Sequence, residues 1–154
     1  MYKKILVAVD GSAGTAQVLQ EAARMAPADA SLRVVSVVEN PMWGVPLEQG
    51  VLYDLEAMHN SLLKAATDIL VSASEQLGKL GLQAETRVLD LFEADNSIPG
   101  AILREADAWG ADVIVIGTHG RRGIKRLIMG SVAESLLRVA RRPVLLVHGP
   151  VDAQ

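Results

Sequence analysis

Short, continuous apolar runs alternate in this chain with segments of helical periodicity. In the two clearest runs, residues 5–9 and 113–116, every residue is apolar. A strand with water on one face alternates apolar and polar residues, whereas a strand covered on both faces is apolar throughout. Covering both faces of a sheet requires helices between successive strands. The alternation therefore predicts an α/β fold with a single, doubly wound parallel sheet.

The remaining elements complete a pattern of five strands and four helices on two faces. Further strands are predicted at residues 32–38, 82–89 and 144–147, and the least apolar of these, 82–89, is expected near an edge. Apolar stripes with helical spacing run through residues 16–26, 55–80, 98–109 and 132–140. Ser12 and Ser131 stand where helix N-caps are expected. The pattern predicts one domain, residues 1–150, with a short tail at 151–154.

Bulk composition excludes several classes of function. The 154 residues contain no cysteine, so disulfides, thiolate metal sites and cysteine nucleophiles are excluded. The formal net charge of −3 argues against nucleic acid as a partner. The sequence has no apolar span of about 18 residues, so we expect no membrane segment and a cytoplasmic location. No histidine pair has metal-ligand spacing, and we expect no metal site built by the protein itself.

A glycine-rich connection follows the run at 113–116 and precedes the last helix. It reads Gly117-Thr-His-Gly120, then nine residues, then Gly130-Ser131. Backbone N–H groups in such a connection can cradle a phosphate. Four cations, Arg121, Arg122, Lys125 and Arg126, lie inside it; we call them the basic segment. They form a solvated basic loop at minimum and a clamp for polyphosphate at most.

This connection matches neither of the two familiar phosphate loops. The P-loop requires a lysine directly before its serine or threonine, but no lysine precedes Ser131. Asp10-Gly11-Ser12 stands where a Gly-x-Gly-x-x-Gly turn would be. The glycines could also be ordinary turn residues. If the first and fourth strands are neighbours, however, Asp10 and the glycines face one crevice at the carboxyl ends of the strands, where open parallel sheets bind ligands.

Several segments together resemble the universal stress protein family. The resemblance rests on Lys4-Ile-Leu-Val-Ala-Val-Asp10-Gly-Ser12, Ala111-Asp-Val-Ile-Val-Ile-Gly117, Ser131-Val-Ala-Glu134 and Arg142-Pro-Val-Leu-Leu-Val147. The pattern Gly117-x2-Gly120-x9-Gly130-Ser131 is the motif of the family's ATP-binding branch. The resemblance covers about residues 2–147.

The resemblance implies strand order 3-2-1-4-5 and bound ATP, with any Mg²⁺ or Mn²⁺ held through the phosphates. It also implies a homodimer paired through the fifth strand, at Val144, Leu145, Leu146 and Val147. The nucleotide contacts that it implies are Asp10 and the backbone of Val37 for adenine, Val9 and Gly117 for ribose, and Gly120, Gly130, Ser131 and Val132 for the phosphates. We extend this set to His119 and Arg121.

Four functions fit these observations. The favoured one is an ATP-binding regulatory or stress-response module. A slow ATPase is the second, although no dedicated acid lies near the expected phosphates. The third is a signalling receiver with Asp90 as its phosphoacceptor, but His148 stands where such domains need lysine. The fourth is a dimeric scaffold that binds no nucleotide.

Overall fold

Five parallel strands form one sheet in the order β3-β2-β1-β4-β5, which confirms the predicted fold class and strand order. The computed structural model describes residues 1–46, 54–94, 96–119 and 129–150. The elements are β1 Lys4–Ala8, α1 Thr15–Met25, β2 Ser31–Glu39, α2 Leu55–Lys79, β3 Ala84–Leu91, α3 Ile98–Trp109, β4 Val113–Gly117, α4 Ser131–Val139 and β5 Val144–Val147.

The central strand β1 packs against a core on each face of the sheet, which explains why its sequence is almost entirely apolar. Ile5 and Val7 pack into one core with residues of α1 and α2, whereas Leu6 and Ala8 pack into a second core with residues of α3 and α4. Successive strand residues point to opposite faces, so all four residues from Ile5 to Ala8 are buried, and only Lys4 at the start of the strand is exposed. Helices on both faces thus leave no place for a polar side chain after Lys4.

The strand β3 begins and ends two residues later than the sequence pattern predicted. Gly81 has a φ of +78°, and the N–H of Leu82 donates to the C=O of Leu77 at 3.0 Å. Leu82 therefore belongs to the C-terminal cap of α2 rather than to the strand. At the other end, the pairing of Glu39 with Leu91 extends β3 along β2. Its position at the sheet edge is as predicted.

A buried carboxylate ties α3 to the sheet. Glu105 is only 6% exposed, and it accepts hydrogen bonds from Arg33 at 2.6 Å and from Arg87. The guanidinium of Arg33 also donates to Glu85 at 2.9 Å and lies 4.8 Å from the centre of the Trp109 ring. These interactions offset the cost of burying a charge between the helix and the two strands.

Candidate nucleotide-binding site

The site predicted from the sequence lies where the strand order reverses. β1 pairs with β2 on one side and with β4 on the other, and Ala8 stands opposite both Val35 and Ile116. The carboxyl ends of the three strands therefore lie side by side at the same end of the sheet. Chain connections leave β1 and β4 in opposite directions there, which creates a crevice suited to a ligand.

Asp10 is held by a tight turn directly after β1. Its Oδ1 accepts the N–H of Ser12 at 2.9 Å, and Gly11 between them has a φ of +76°. The positive φ favours glycine, and a Cβ at this position would also lie 2.9 Å from side-chain carbons of Ile69, which would have to shift. The preceding residue, Val9, is buried, and its N–H donates to the C=O of Val35 at 3.0 Å.

The turn after β1 corrects one prediction about helix capping. Ser12 is not the N-cap of α1, because the helix begins at Thr15 with Gly14 in the cap position. The C=O of Ser12 accepts the N–H of Thr15 at 3.1 Å. Ser12 instead completes the turn that positions the Asp10 carboxylate.

Two histidines surround a buried hydroxyl after β4. Gly117 ends the strand, and the N–H of Thr118 still donates to the C=O of Val147 at 2.9 Å. The Thr118 Oγ1 lies 3.0 Å from His119 Nδ1 and 3.5 Å from His148 Nδ1. In the described part of the chain, the buried His119 Nε2 has no hydrogen-bond partner. A buried polar atom without a partner is uncommon in a folded protein and marks this position for closer attention.

Gly130 brings the start of α4 against the end of β4. Its N–H donates to the C=O of Thr118 at 2.6 Å, and a Cβ at this position would lie 2.9 Å from that same oxygen. Only glycine fits without movement of the backbone. The contact closes the glycine-rich connection at its base.

The N-terminus of α4 presents backbone donors at the crevice. Gly130 is the N-cap and no side chain caps the helix, so the prediction that Ser131 is the N-cap was wrong. The first helical hydrogen bond runs from the N–H of Glu134 to the C=O of Gly130 at 3.0 Å. The N–H groups of Ser131 and Val132 precede it and point out of the helix end, where they suit an anion.

The structure thus brings most of the predicted site residues together at the carboxyl ends of the central strands. Gly120 and Arg121 lie outside the described residues, as does the whole basic segment. Val37 lies on β2, two residues beyond the partner of Ala8, and is half-buried. Those placed at the crevice itself are Val9, Asp10, Gly117, His119, Gly130, Ser131 and Val132. Sequence reasoning missed the Thr118 hydroxyl, because its contact with His148 depends on the neighbouring strand β5.

Asp90, the phosphoacceptor of the receiver alternative, has a different setting. It lies within β3, where its Oδ1 accepts the N–H of Phe92 at 3.0 Å and its Oδ2 lies 2.7 Å from His59 Nε2. His148 is exposed at the end of β5. Asp90 is thus engaged with α2 at the far edge of the sheet, away from the crevice beside β4.

The fold and this crevice define a small, doubly wound α/β protein with a helix N-terminus at its topological switch point. The model of the universal stress protein family matches residues 1–148. The chain therefore belongs to that family. No helix among the described residues is long and apolar enough to cross a membrane.

Relatives and solved structures agree with this assignment over nearly the whole chain. The universal stress protein YxiE of Bacillus subtilis is 30% identical over 153 residues, which cover 96% of this chain and 100% of the relative. A universal stress family protein from Burkholderia pseudomallei is 31% identical with a TM-score of 0.74, covering 95% and 96% of the two chains. The universal stress protein of Archaeoglobus fulgidus in complex with dAMP is 26% identical, with a TM-score of 0.68 and coverage of 95% and 98%.

Proposed function

We propose that this protein binds ATP at the carboxyl ends of β1 and β4 and acts as a nucleotide-dependent regulatory or stress-response module. The observation that carries the proposal is the contact at Gly130, where the helix N-terminus approaches the Thr118 carbonyl too closely for any side chain. Such close packing leaves room for a phosphate at the backbone donors. The dAMP complex of the Archaeoglobus relative supports an adenine nucleotide as the ligand.

Each end of the nucleotide has chemically suitable partners in this proposal. The Asp10 carboxylate can accept a hydrogen bond from the adenine amine, and the β2 backbone at Val37 offers further polar groups. Val9 and Gly117 adjoin the ribose. The N–H groups of Ser131 and Val132 donate to phosphate oxygens, and His119 Nε2 gains a partner that the described residues do not provide.

Any Mg²⁺ or Mn²⁺ is carried on the phosphates in this proposal. Across residues 1–46, 54–94, 96–119 and 129–150, no three His, Asp or Glu side chains are grouped to hold a metal ion. The protein holds ATP as a ligand, and hydrolysis is slow if it occurs at all. A cytoplasmic location stays a prediction from the sequence.

The most direct test is to denature the freshly purified protein and identify any released nucleotide by its mass. In parallel, thermal unfolding is followed with ATP, ADP, AMP and dAMP. A ligand at 100 times its Kd adds about 2.7 kcal/mol to the free energy of unfolding, which raises the Tm by about 5–11 °C in a domain of this size. No released nucleotide together with no shift for any of the four would refute the proposal.

Salt dependence separates the phosphate end from the adenosine end. If the basic segment contacts the phosphates, ATP binds more tightly than AMP, and only the ATP affinity falls steeply with ionic strength. Equal affinities for ATP and AMP would mean that adenosine contacts dominate and that the basic segment does not take part. The measurement is isothermal titration at low and high salt.

We further propose a homodimer paired through β5. The strand ends the sheet, and Val144, Leu145 and Leu146 are only half-buried in the single chain. Leu137 and Val139, on the preceding helix, are 45% and 59% exposed. An uncovered apolar edge strand beside exposed apolar side chains favours pairing with a second copy. Sedimentation at micromolar concentration tests this, and a monomer would contradict it.

A further inference from the structure

A second cavity opens at the carboxyl ends of β2 and β3, one strand away from the candidate nucleotide site. Its volume is about 520 Å³, which is within the range of small-molecule sites. It is bounded by the turn after β2, the first turns of α2 and the segment after β3. Residues that face it include Asn40, Trp43, His59 and Phe92. None of the residues placed at the nucleotide crevice lines it.

The aromatic walls of this cavity are held in place by the surrounding structure. The rings of His59 and Phe92 stack with their centres 4.3 Å apart and their planes 9° from parallel. His59 Nε2 lies 2.7 Å from Asp90 Oδ2, and Asp90 Oδ1 accepts the N–H of Phe92 at 3.0 Å. One carboxylate therefore holds the His59 ring and the Phe92 backbone, and the Phe92 ring, only 5% exposed, packs behind the His59 ring. Rings fixed in this way lose little freedom when a ligand arrives.

Trp43 lies in an ordered turn despite being 56% exposed. Its N–H donates to the C=O of Asn40 at 3.1 Å, and the side chain of Asn40 accepts the N–H of Met42 at 2.9 Å. Gly44, with a φ of +74°, completes the turn. A large aromatic side chain is thus presented to solvent on a hydrogen-bonded scaffold beside the cavity.

The charge of the lining is negative. Glu56 and Glu93 both face the cavity, and among the residues that the structure describes neither lysine nor arginine lines it. The N-terminus of α2 opposes this charge with about half a positive unit, part of which Asp54 already offsets as the N-cap of the helix. Two carboxylates outweigh that dipole, so the cavity favours a cation. Fixed aromatic faces favour a cation that carries carbon rather than a metal ion.

We propose that this cavity, lined by Trp43, His59, Phe92, Glu56 and Glu93, binds a small organic ammonium ion. The aromatic rings contact the alkyl groups around the nitrogen, and the two carboxylates neutralise the charge. The site goes beyond the proposed nucleotide function and does not depend on it.

The test uses choline and benzyltrimethylammonium as probes, followed by ¹H–¹⁵N NMR of the whole chain. The indole N–H of Trp43 is the reporter. The chain's other tryptophan, Trp109, lies against Lys4 and Arg33 beside β1 and β2 and is the internal reference. We expect a saturable shift of the Trp43 signal and none of the Trp109 signal. No saturable shift with either probe at millimolar concentration would overturn the proposal.

A neutral analogue distinguishes charge recognition from simple apolar contact. In 3,3-dimethylbutan-1-ol a carbon replaces the choline nitrogen, so shape is kept and charge is lost. We expect it to bind about tenfold more weakly than choline, because cation–π and carboxylate attraction are both absent. Equal binding of the two compounds would refute recognition of a cation.

Variants test the lining residues directly. The double variant Glu56→Gln and Glu93→Gln removes both negative charges and keeps their shape, and we expect it to weaken choline binding about tenfold. Glu75→Gln removes one negative charge at an exposed position of α2, the helix that carries Glu56, and is the control for the single variant Glu56→Gln, with affinity for choline unchanged. An equal effect of the control and Glu56→Gln would show only a general field of the protein and refute a local site.

A competition experiment separates the cavity from the nucleotide site. We expect ATP to leave the affinity for choline unchanged, and Asp10→Asn to weaken ATP without affecting choline. If ATP displaces choline and shifts the Trp43 signal in the same way, the cavity is part of the nucleotide site and the proposal of a separate site fails. Loss of ATP binding alone would refute the proposed function and leave this one standing.

Discussion

Gly130→Ala is the substitution that most directly tests how the backbone could hold a phosphate. The added Cβ would lie 2.9 Å from the carbonyl oxygen of Thr118. That oxygen belongs to backbone fixed by the hydrogen bond from the Thr118 N–H to Val147, so it has little freedom to retreat. The start of α4 must therefore move away, and the N–H groups of Ser131 and Val132 move with it.

The expected loss follows from the hydrogen bonds that this movement weakens. A hydrogen bond to a charged group contributes about 1.5–3 kcal/mol, and about 1.4 kcal/mol corresponds to a tenfold change in Kd. Losing one phosphate contact at the helix N-terminus would weaken ATP about 10- to 100-fold. The body of the helix keeps its packing through Ala133 and Leu136, so we expect the fold to survive.

Gly78→Ala provides the matched control. Gly78 lies in α2, and a Cβ there would have no atom within 4 Å. Alanine at this position should raise the free energy of unfolding by about 0.5–1 kcal/mol, because alanine is the better helix former. Its affinity for ATP should be unchanged. Isothermal titration gives the affinities, and ¹H–¹⁵N spectra show whether each variant is folded.

One pair of results would refute the reasoning. If Gly130→Ala is folded and binds ATP as tightly as the parent protein, the helix N-terminus does not contact the phosphates. A folded variant that loses adenosine and ATP binding equally would place the damage at the adenosine end instead.

Three further predictions concern stability and assembly. Glu105→Gln should lower the free energy of unfolding by about 2–3 kcal/mol in urea titration, less than a fully broken buried pair, because Arg33 retains Glu85. The N–H groups of Lys3 and Lys4 lower the pKa of Asp112 below its usual 3.8. The stability that the Asp112 carboxylate contributes is present above pH 3.8 and is lost as the pH falls through its lowered pKa. The difference in free energy of unfolding between the parent and Asp112→Asn should therefore shrink on acidification. Leu137→Lys should shift the proposed dimer towards monomer in sedimentation, with no change in Tm extrapolated to low concentration.

The sheet could be predicted because its sequence pattern has one physical solution. The apolar residues at 5–9 and 113–116 leave no exposed face, and only helices on both sides of the sheet provide that burial. Strand order was not contained in the pattern itself. It came from the resemblance, and the pairing of Ala8 with both Val35 and Ile116 confirms it.

Local capping was harder to predict than the sheet. Ser12 and Ser131 are good N-cap residues, yet glycine takes the cap position in both helices. Side-chain capping gains only about 1 kcal/mol, which a tight backbone contact readily outweighs. At α4 that contact is the hydrogen bond from the N–H of Gly130 to Thr118, which depends on the end of another element.

The sequence pattern could not predict contacts between residues that are far apart along the chain. Arg33 and Glu105 are 72 positions apart, and nothing in the spacing of α3 marks its single glutamate as buried. His59 and Asp90 are 31 positions apart and meet only because α2 packs beside β3. Such pairs need the full topology. The same holds for the second cavity, whose lining comes from three separate segments.

The two candidate sites would attract ligands of opposite charge, although both lie at the carboxyl ends of the strands. At β1 and β4 the proposed phosphate end offers backbone donors at a helix N-terminus, which attract anions and repel an ammonium ion, whereas the Asp10 carboxylate lies at the proposed adenine end. At β2 and β3 the available groups are Glu56 and Glu93 beside aromatic rings, which attract a cation and repel a triphosphate. β2 passes from one site to the other between Val37 and Asn40. Because each site rejects the other's ligand by charge, two ligands could be distinguished within a few residues without any barrier between the sites.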